Sequence, residues 1–118
     1  SLTYEKKNHN YVKIISNSQG KVLYLSRSDC PHSFRSSTKP FKRHMDFITF
    51  KPEFLKKFNN LKERKLENYE GIELLRVLEN GFNIGTIKMI KDSFSINTKE
   101  DFKKSIYLMK KSQFRKLY

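Results

Sequence analysis

The sequence predicts an α/β chain, α+β in appearance, in which a mixed β-sheet opening on a β-hairpin carries about three helices. Three observations predict it. Two alternating apolar runs, Tyr11-Val12-Lys13-Ile14-Ile15 and Lys21-Val22-Leu23-Tyr24-Leu25, flank a turn cluster at Asn17-Ser18-Gln19-Gly20. Apolar residues then recur at helical spacing from Phe54 to Leu78, and a chain of 118 residues is about one small domain.

Taken in order, the elements follow from local chemistry. The first two runs read as the hairpin, and residues 28 to 42, with Pro31, Pro40 and many Ser, read as a long loop. Arg43 to Phe50 alternates again as a third strand, with His44, Asp46, Ile48 and Phe50 on one face. Pro52 suits a first helical turn, Glu53 complements the helix dipole, and Phe54, Leu55, Phe58 and Leu61 form an apolar stripe. Leu66, Tyr69, Ile72, Leu75 and Leu78 predict a longer helix over roughly 65 to 80, stopped by Asn80-Gly81. Phe82 to Ile90 reads as a strand whose apolar phase switches at a bulge or bend near Gly85. Thr98 with Asp101 opens a final helix on which Phe102, Ile106 and Met109 share a face, and the tail beyond Lys110 is expected to fray.

Composition narrows the function classes. Hydrophobic residues at 36% with 14% aromatics point to a folded chain despite 31% charged residues. A single cysteine, Cys30, excludes an intramolecular disulfide, and with neither a charged-then-apolar leader nor a membrane-length apolar run the expected compartment is the cytoplasm, with no membrane partner. A net charge of +13 attracts nucleic acid, an anionic surface or an acidic small substrate. The basic residues are mostly Lys and lie scattered from Lys6 to Lys116, which weakens the nucleic-acid reading because phosphate and base recognition favours the Arg fork. His9, Cys30, His32 and His44 lack zinc-ligand spacing, and nothing in the sequence supplies Cys30 with the base that a nucleophile needs.

Several stretches, in this order, resemble the C-terminal half of the CMP-Kdo synthetase (3-deoxy-manno-octulosonate cytidylyltransferase) family. They are Val12-Lys13-Ile14-Ile15 through Gly20 to Leu23-Tyr24-Leu25-Ser26-Arg27-Ser28, then Arg43-His44, then Glu73-Leu74-Leu75-Arg76-Val77-Leu78-Glu79-Asn80-Gly81, and Asn97-Thr98-Lys99-Glu100-Asp101. The likeness covers about residues 10 to 110, so that 1–118 reads as one partial domain, the second half of a glycosyltransferase-A-like nucleotidyltransferase domain. The resemblance implies transfer of the CMP group of CTP to the anomeric hydroxyl of Kdo with release of pyrophosphate, a step in lipopolysaccharide precursor synthesis, with Mg2+ neutralising charge. It implies that Arg27 anchors an anion such as the sugar carboxylate, that His44 lies at the sugar-acid pocket and that Glu73 holds sugar hydroxyls. For Arg76, a helical turn from Glu73, the expectation is an ion pair with Glu73 or Glu79.

The sequence departs from the family at pocket positions. Asn97 stands where the family carries a magnesium Asp, and its neutral carbonyl is a weaker ligand for a hard cation. Leu74 replaces a Gln, Asp46-Phe47-Ile48 replaces Gly-Ile-Tyr, and the Gly-rich and magnesium segments of the CTP-binding half are absent. Turnover by this chain alone is therefore not expected. Three readings follow: a piece of a cytidylyltransferase awaiting its CTP-binding half, a non-catalytic homodimeric interaction module derived from that family, and a basic nucleic-acid-binding domain. An exposed sheet edge and uncovered apolar surface lead us to expect a homodimer.

Overall fold

The structure, a computed structural model, describes residues 8–35, 42–89, 96 and 98–111. The hairpin forms where alternation predicts it, as β1 (Lys13–Ser16) and β2 (Val22–Ser26), antiparallel with a register shift between Ile15 and Ser16. The Asn17 side chain closes the turn by accepting the backbone N–H groups of Gln19 and Lys21 at 3.0 and 2.9 Å, and Gly20 takes a φ of 79°. A third strand, β3 (Lys42–Arg43), pairs antiparallel with β1, giving the order β2-β1-β3. Among the described residues all of this pairing is antiparallel.

Two strands expected from sequence are shorter than their alternation. The third stops at Arg43, and beyond the His44 N–H bond to the Val12 carbonyl the segment to Phe50 joins no strand among the described residues. The strand expected from Phe82 contributes one bridge, Gly85 to Lys21, flanked by hydrogen bonds from Val22 N–H to the Ile84 carbonyl and from Thr86 N–H to the Gly20 carbonyl. Alternation describes side-chain placement, and a strand also needs a neighbour to pair with.

The helices are α1 (Pro52–Phe58), α2 (Lys65–Glu70), α3 (Leu74–Glu79) and α4 (Lys99–Lys111). The single helix expected over 65 to 80 is thus two, because Gly71 adopts φ 61°, ψ 42° and ends α2 in the left-handed region. Apolar periodicity runs across this break, yet Tyr69 is 80% exposed while Ile72 and Leu75 are buried, so one stripe does not serve both helices. At the end of α3 Gly81 N–H reaches the Leu78 carbonyl and Phe82 N–H the Val77 carbonyl, with Gly81 at φ 82°, the stop that Asn80-Gly81 predicts. Thr98 and Asp101 exchange backbone-to-side-chain bonds of 3.0 and 3.1 Å, the expected start of α4. The tail from 112 onward lies outside the described residues.

The core sits between β2 and α3. Val22, Leu25, Ile72, Leu74 and Leu75 are buried together, with Val12, Ile14, Phe50 and Leu78 packed around them. Phe54 extends this layer toward Phe82 in an edge-on contact at 5.0 Å, and Phe58 lies 5.4 Å from Phe50. Arg76 pairs with neither Glu73 nor Glu79 as expected. Its guanidinium grips the buried Glu67 carboxylate in two bonds of 2.8 and 2.6 Å and reaches Glu63 at 3.3 Å, while Glu79 accepts the Leu66 N–H. The break at Gly71 explains this, since α3 folds back on α2 and brings Arg76 across from Glu67. No helix among the described residues is long and apolar enough to cross a membrane.

The left-handed corner yields a direct prediction. Gly71→Ala should lower stability in urea unfolding by about 1–2 kcal/mol, the usual cost of a Cβ in this region. Gly85→Ala, where φ is not positive and an added Cβ meets nothing within 4 Å, should change it far less.

Candidate functional site

The sheet register brings two of the sequence-predicted residues to one end of the sheet. Lys13 of β1 lies opposite Ser26 on one side and Arg43 on the other. Continued by one residue, the register sets Val12 between Arg27 and His44, and His44 N–H indeed donates to the Val12 carbonyl at 2.8 Å. Arg27 and His44 thus occupy one rung, two strand spacings or about 10 Å apart in backbone.

Arg27 is held unusually firmly for a residue just past a strand end. Its Nε donates to the Glu70 carbonyl at 2.7 Å, Nη1 to the His9 carbonyl at 3.0 Å and Nη2 to the Gly71 carbonyl at 3.0 Å. Its own N–H donates to Glu70 Oε2 at 2.9 Å, and its carbonyl accepts the Lys13 ammonium at 2.7 Å. All three guanidinium acceptors are neutral, and none of the ion pairs among the described residues involves Arg27. Each terminal nitrogen keeps one further N–H. The result is a cation fixed in place whose guanidinium makes no ion pair among the described residues, which is a suitable anchor for a carboxylate.

The nearby Glu70 carboxylate feels this charge but directs its hydrogen bonds to other groups. Glu70 Oε1 accepts the Ser26 hydroxyl at 2.8 Å and the Tyr24 hydroxyl at 3.3 Å, and Oε2 takes the Arg27 backbone. Burial pushes the Glu70 carboxyl up, but the hydrogen bonds from Arg27 N–H, Ser26 and Tyr24, together with the nearby Arg27 charge, outweigh it and lower the group below its ordinary value. Sequence reasoning missed Glu70. The only signal was its position beside Gly71, before the segment that carries Glu73.

Burial pushes the His44 imidazole below its ordinary value, against the upward pull of Asp46, whose Oδ1 lies 3.9 Å from Nδ1. Although the strand stops at Arg43, these two side chains remain neighbours. Glu73 begins the α3 turn two residues beyond Gly71, where its carbonyl accepts Arg76 N–H, and its side chain is exposed. Its place in an apolar phrase therefore carries no burial cost; the buried glutamate of this region is Glu67. Leu74, at the position of the family Gln, is buried in the core. Asn97 lies outside the described residues, and among those described no three His, Cys, Asp or Glu converge as a metal site. Burial, followed by Glu70, raises the Cys30 thiol, which disfavours a thiolate there.

Comparison with known proteins agrees with this architecture. The family described as cytidylyltransferase matches residues 2–91. The chain belongs to the cytidylyltransferase family. It is 36% identical over 69 residues to the 3-deoxy-manno-octulosonate cytidylyltransferase of Acaryochloris marina, a match spanning 58% of this chain and 28% of that protein. The same enzyme of Leptospira interrogans serogroup Icterohaemorrhagiae serovar Lai is 38% identical, again over 69 residues, with 58% and 28% covered. The fold is similar to the solved structure of CMP:2-keto-3-deoxy-manno-octonic acid synthetase complexed with CTP, with a TM-score of 0.80 and 25% identity, covering 87% of this chain and 43% of that one. This chain therefore spans less than half the length of the proteins it matches, and its resemblance to the CMP-Kdo synthetases and its nucleotidyltransferase fold are both borne out.

The His44 environment predicts a titration. Because its folded value lies below the unfolded one, folding favours the neutral ring, and the associated stability is present above about pH 6.5 and lost as pH falls through the folded value. The imidazole signal in NMR should titrate with a midpoint below about 6.5, and Asp46→Asn should move it lower still.

Proposed function

We propose that this chain is the sugar-acid-binding and dimerisation half of a CMP-Kdo synthetase-like cytidylyltransferase, and that it is inactive alone. The observation that supports this best is the Arg27 guanidinium, fixed by three carbonyls and left without an ion-pair partner among the described residues. In this reading Arg27 takes the carboxylate of Kdo as an anchor. His44, neutral near pH 7 and sharing the rung, accepts or donates a hydrogen bond to the sugar, and the exposed Glu73 receives sugar hydroxyls.

The reaction joins the anomeric oxygen of Kdo to the α-phosphorus of CTP while the bond to the pyrophosphate oxygen breaks. The CTP-binding half supplies the triphosphate contacts. In this reading Mg2+ belongs to the assembled enzyme, to which Asn97 would offer a neutral oxygen. The contribution of this half is to hold and orient the acceptor sugar, which lowers the barrier by fixing the geometry of attack.

Exposed apolar side chains favour a partner of some kind. Phe34, Phe47 and Ile87 are 85%, 76% and 89% exposed, and a partner that covered them would remove their apolar surface from water. A second copy is our reading of that partner, and it also accommodates the non-catalytic dimer. The nucleic-acid alternative fares worse because the Arg76 fork is engaged by Glu67, and Arg43 lies over the Tyr11 ring at 4.5 Å.

Pyrophosphate release with CTP, Kdo and Mg2+ should be absent for the chain alone and appear when a CTP-binding half from a relative is added; activity from the chain alone overturns the reading. Calorimetry should show Kdo binding that Arg27→Lys weakens about tenfold or more through loss of the planar fork. Light scattering should give twice the chain mass.

A further inference from the structure

We propose that Glu70 is the positioning residue of the anion site, holding Arg27 in place without forming an ion pair with its guanidinium, whose remaining N–H groups stay open to the substrate carboxylate. This rests on the sugar-acid reading above and names the part of the chain that builds it.

A glutamate beside an arginine ordinarily forms an ion pair with it and cancels its charge. Here the carboxylate engages three other donors, the Arg27 backbone N–H at 2.9 Å, the Ser26 hydroxyl at 2.8 Å and the Tyr24 hydroxyl at 3.3 Å. Two of these groups lie in β2 and the third just beyond it, so the carboxylate fixes the strand end from which the Arg27 side chain departs. The Glu70 main chain completes the arrangement. Its carbonyl accepts Arg27 Nε at 2.7 Å, and the next carbonyl, of Gly71, accepts Nη2 at 3.0 Å.

One residue therefore fixes both ends of the arginine, its backbone through the side chain and its guanidinium through the main chain. The opposite side of the Arg27 backbone is held by the Lys13 ammonium, which is 3.6 Å from Asp29. Without the Glu70 carboxylate, the end of the strand loses its side-chain tie to the helical corner, and the Arg27 backbone from which the guanidinium reaches its three carbonyls is less firmly placed. An anchor that must be ordered upon binding gives a weaker complex than one already in place.

The test uses the full 118-residue chain and reads Kdo binding by calorimetry together with the Arg27 Nε–H signal in nitrogen-proton NMR. Glu70→Ala should weaken Kdo about tenfold or more and shift or broaden the Nε–H signal, and Glu70→Gln, which keeps the length and an acceptor oxygen, should recover much of both. In an Arg27→Ala background, Glu70→Ala should cause no further loss of Kdo affinity, since a residue acting only through Arg27 has nothing left to position. Losses that multiply in the double variant, or an unchanged affinity in Glu70→Ala, overturn the proposal while leaving the sugar-acid reading intact. If Glu70→Ala fails to fold, the same cycle is run with Glu70→Asp, whose shorter side chain withdraws from the three donors, and multiplying losses or an unchanged affinity again overturn it. Absence of Kdo binding by the unaltered chain overturns the sugar-acid reading and this inference with it.

Discussion

The hydrogen-bonded clasp between Arg27 and the Glu70-Gly71 corner is the constraint on which the arrangement of this chain depends. Burial of Leu25 against Leu75 brings the hairpin and the helical pair together, but apolar contact is non-directional and leaves them free to slide. The clasp joins positions more than forty residues apart through bonds with fixed geometry, and so sets which rung of the hairpin faces which turn of the helices. Its acceptors are backbone carbonyls at the end of α2, groups that need partners wherever a helix stops. The same bonds that finish the helix therefore orient the arginine.

Much of the fold was legible because local chemistry and tertiary context agree. The hairpin needed only alternation and the Asn17 turn, and α1 and α4 began where Pro52 and the Thr98-Asp101 pair indicated. The misread elements share a cause, which is that periodicity reports where side chains could point and says nothing of what they meet. Leu66, Tyr69, Ile72 and Leu75 keep helical spacing through Gly71, yet one left-handed residue redirects the chain and leaves Tyr69 in solvent. Met45 to Phe50 alternates as well as any strand here but joins no strand among the described residues, so it remains irregular.

The candidate site was legible for a different reason. Arg27, His44 and Glu73 came from the order of motifs, and register then set Arg27 and His44 on one rung, a relation that no linear spacing contains. Glu70 was invisible because a lone glutamate in a charged helix has no distinguishing pattern; its role rests on Ser26 and Tyr24 arriving from a strand far away in sequence. Arg76 shows the converse. Its expected partners were near in sequence along a continuous helix, and once Gly71 divides that helix the nearest carboxylate in space is Glu67.

The two arginines differ in what meets their charge. Arg76 meets a carboxylate that is itself buried, so both charges are satisfied and the pair fixes α3 against α2. Arg27 meets only carbonyl oxygens, which restrain its geometry while offering no formal negative charge. A cation in the second condition is costly to surround with like charge, and this chain carries +13. On the proposed reading, an anionic ligand would relieve that repulsion as it bound, the net charge supplying attraction toward the Arg27 end of the sheet and the fixed fork the preference for a carboxylate.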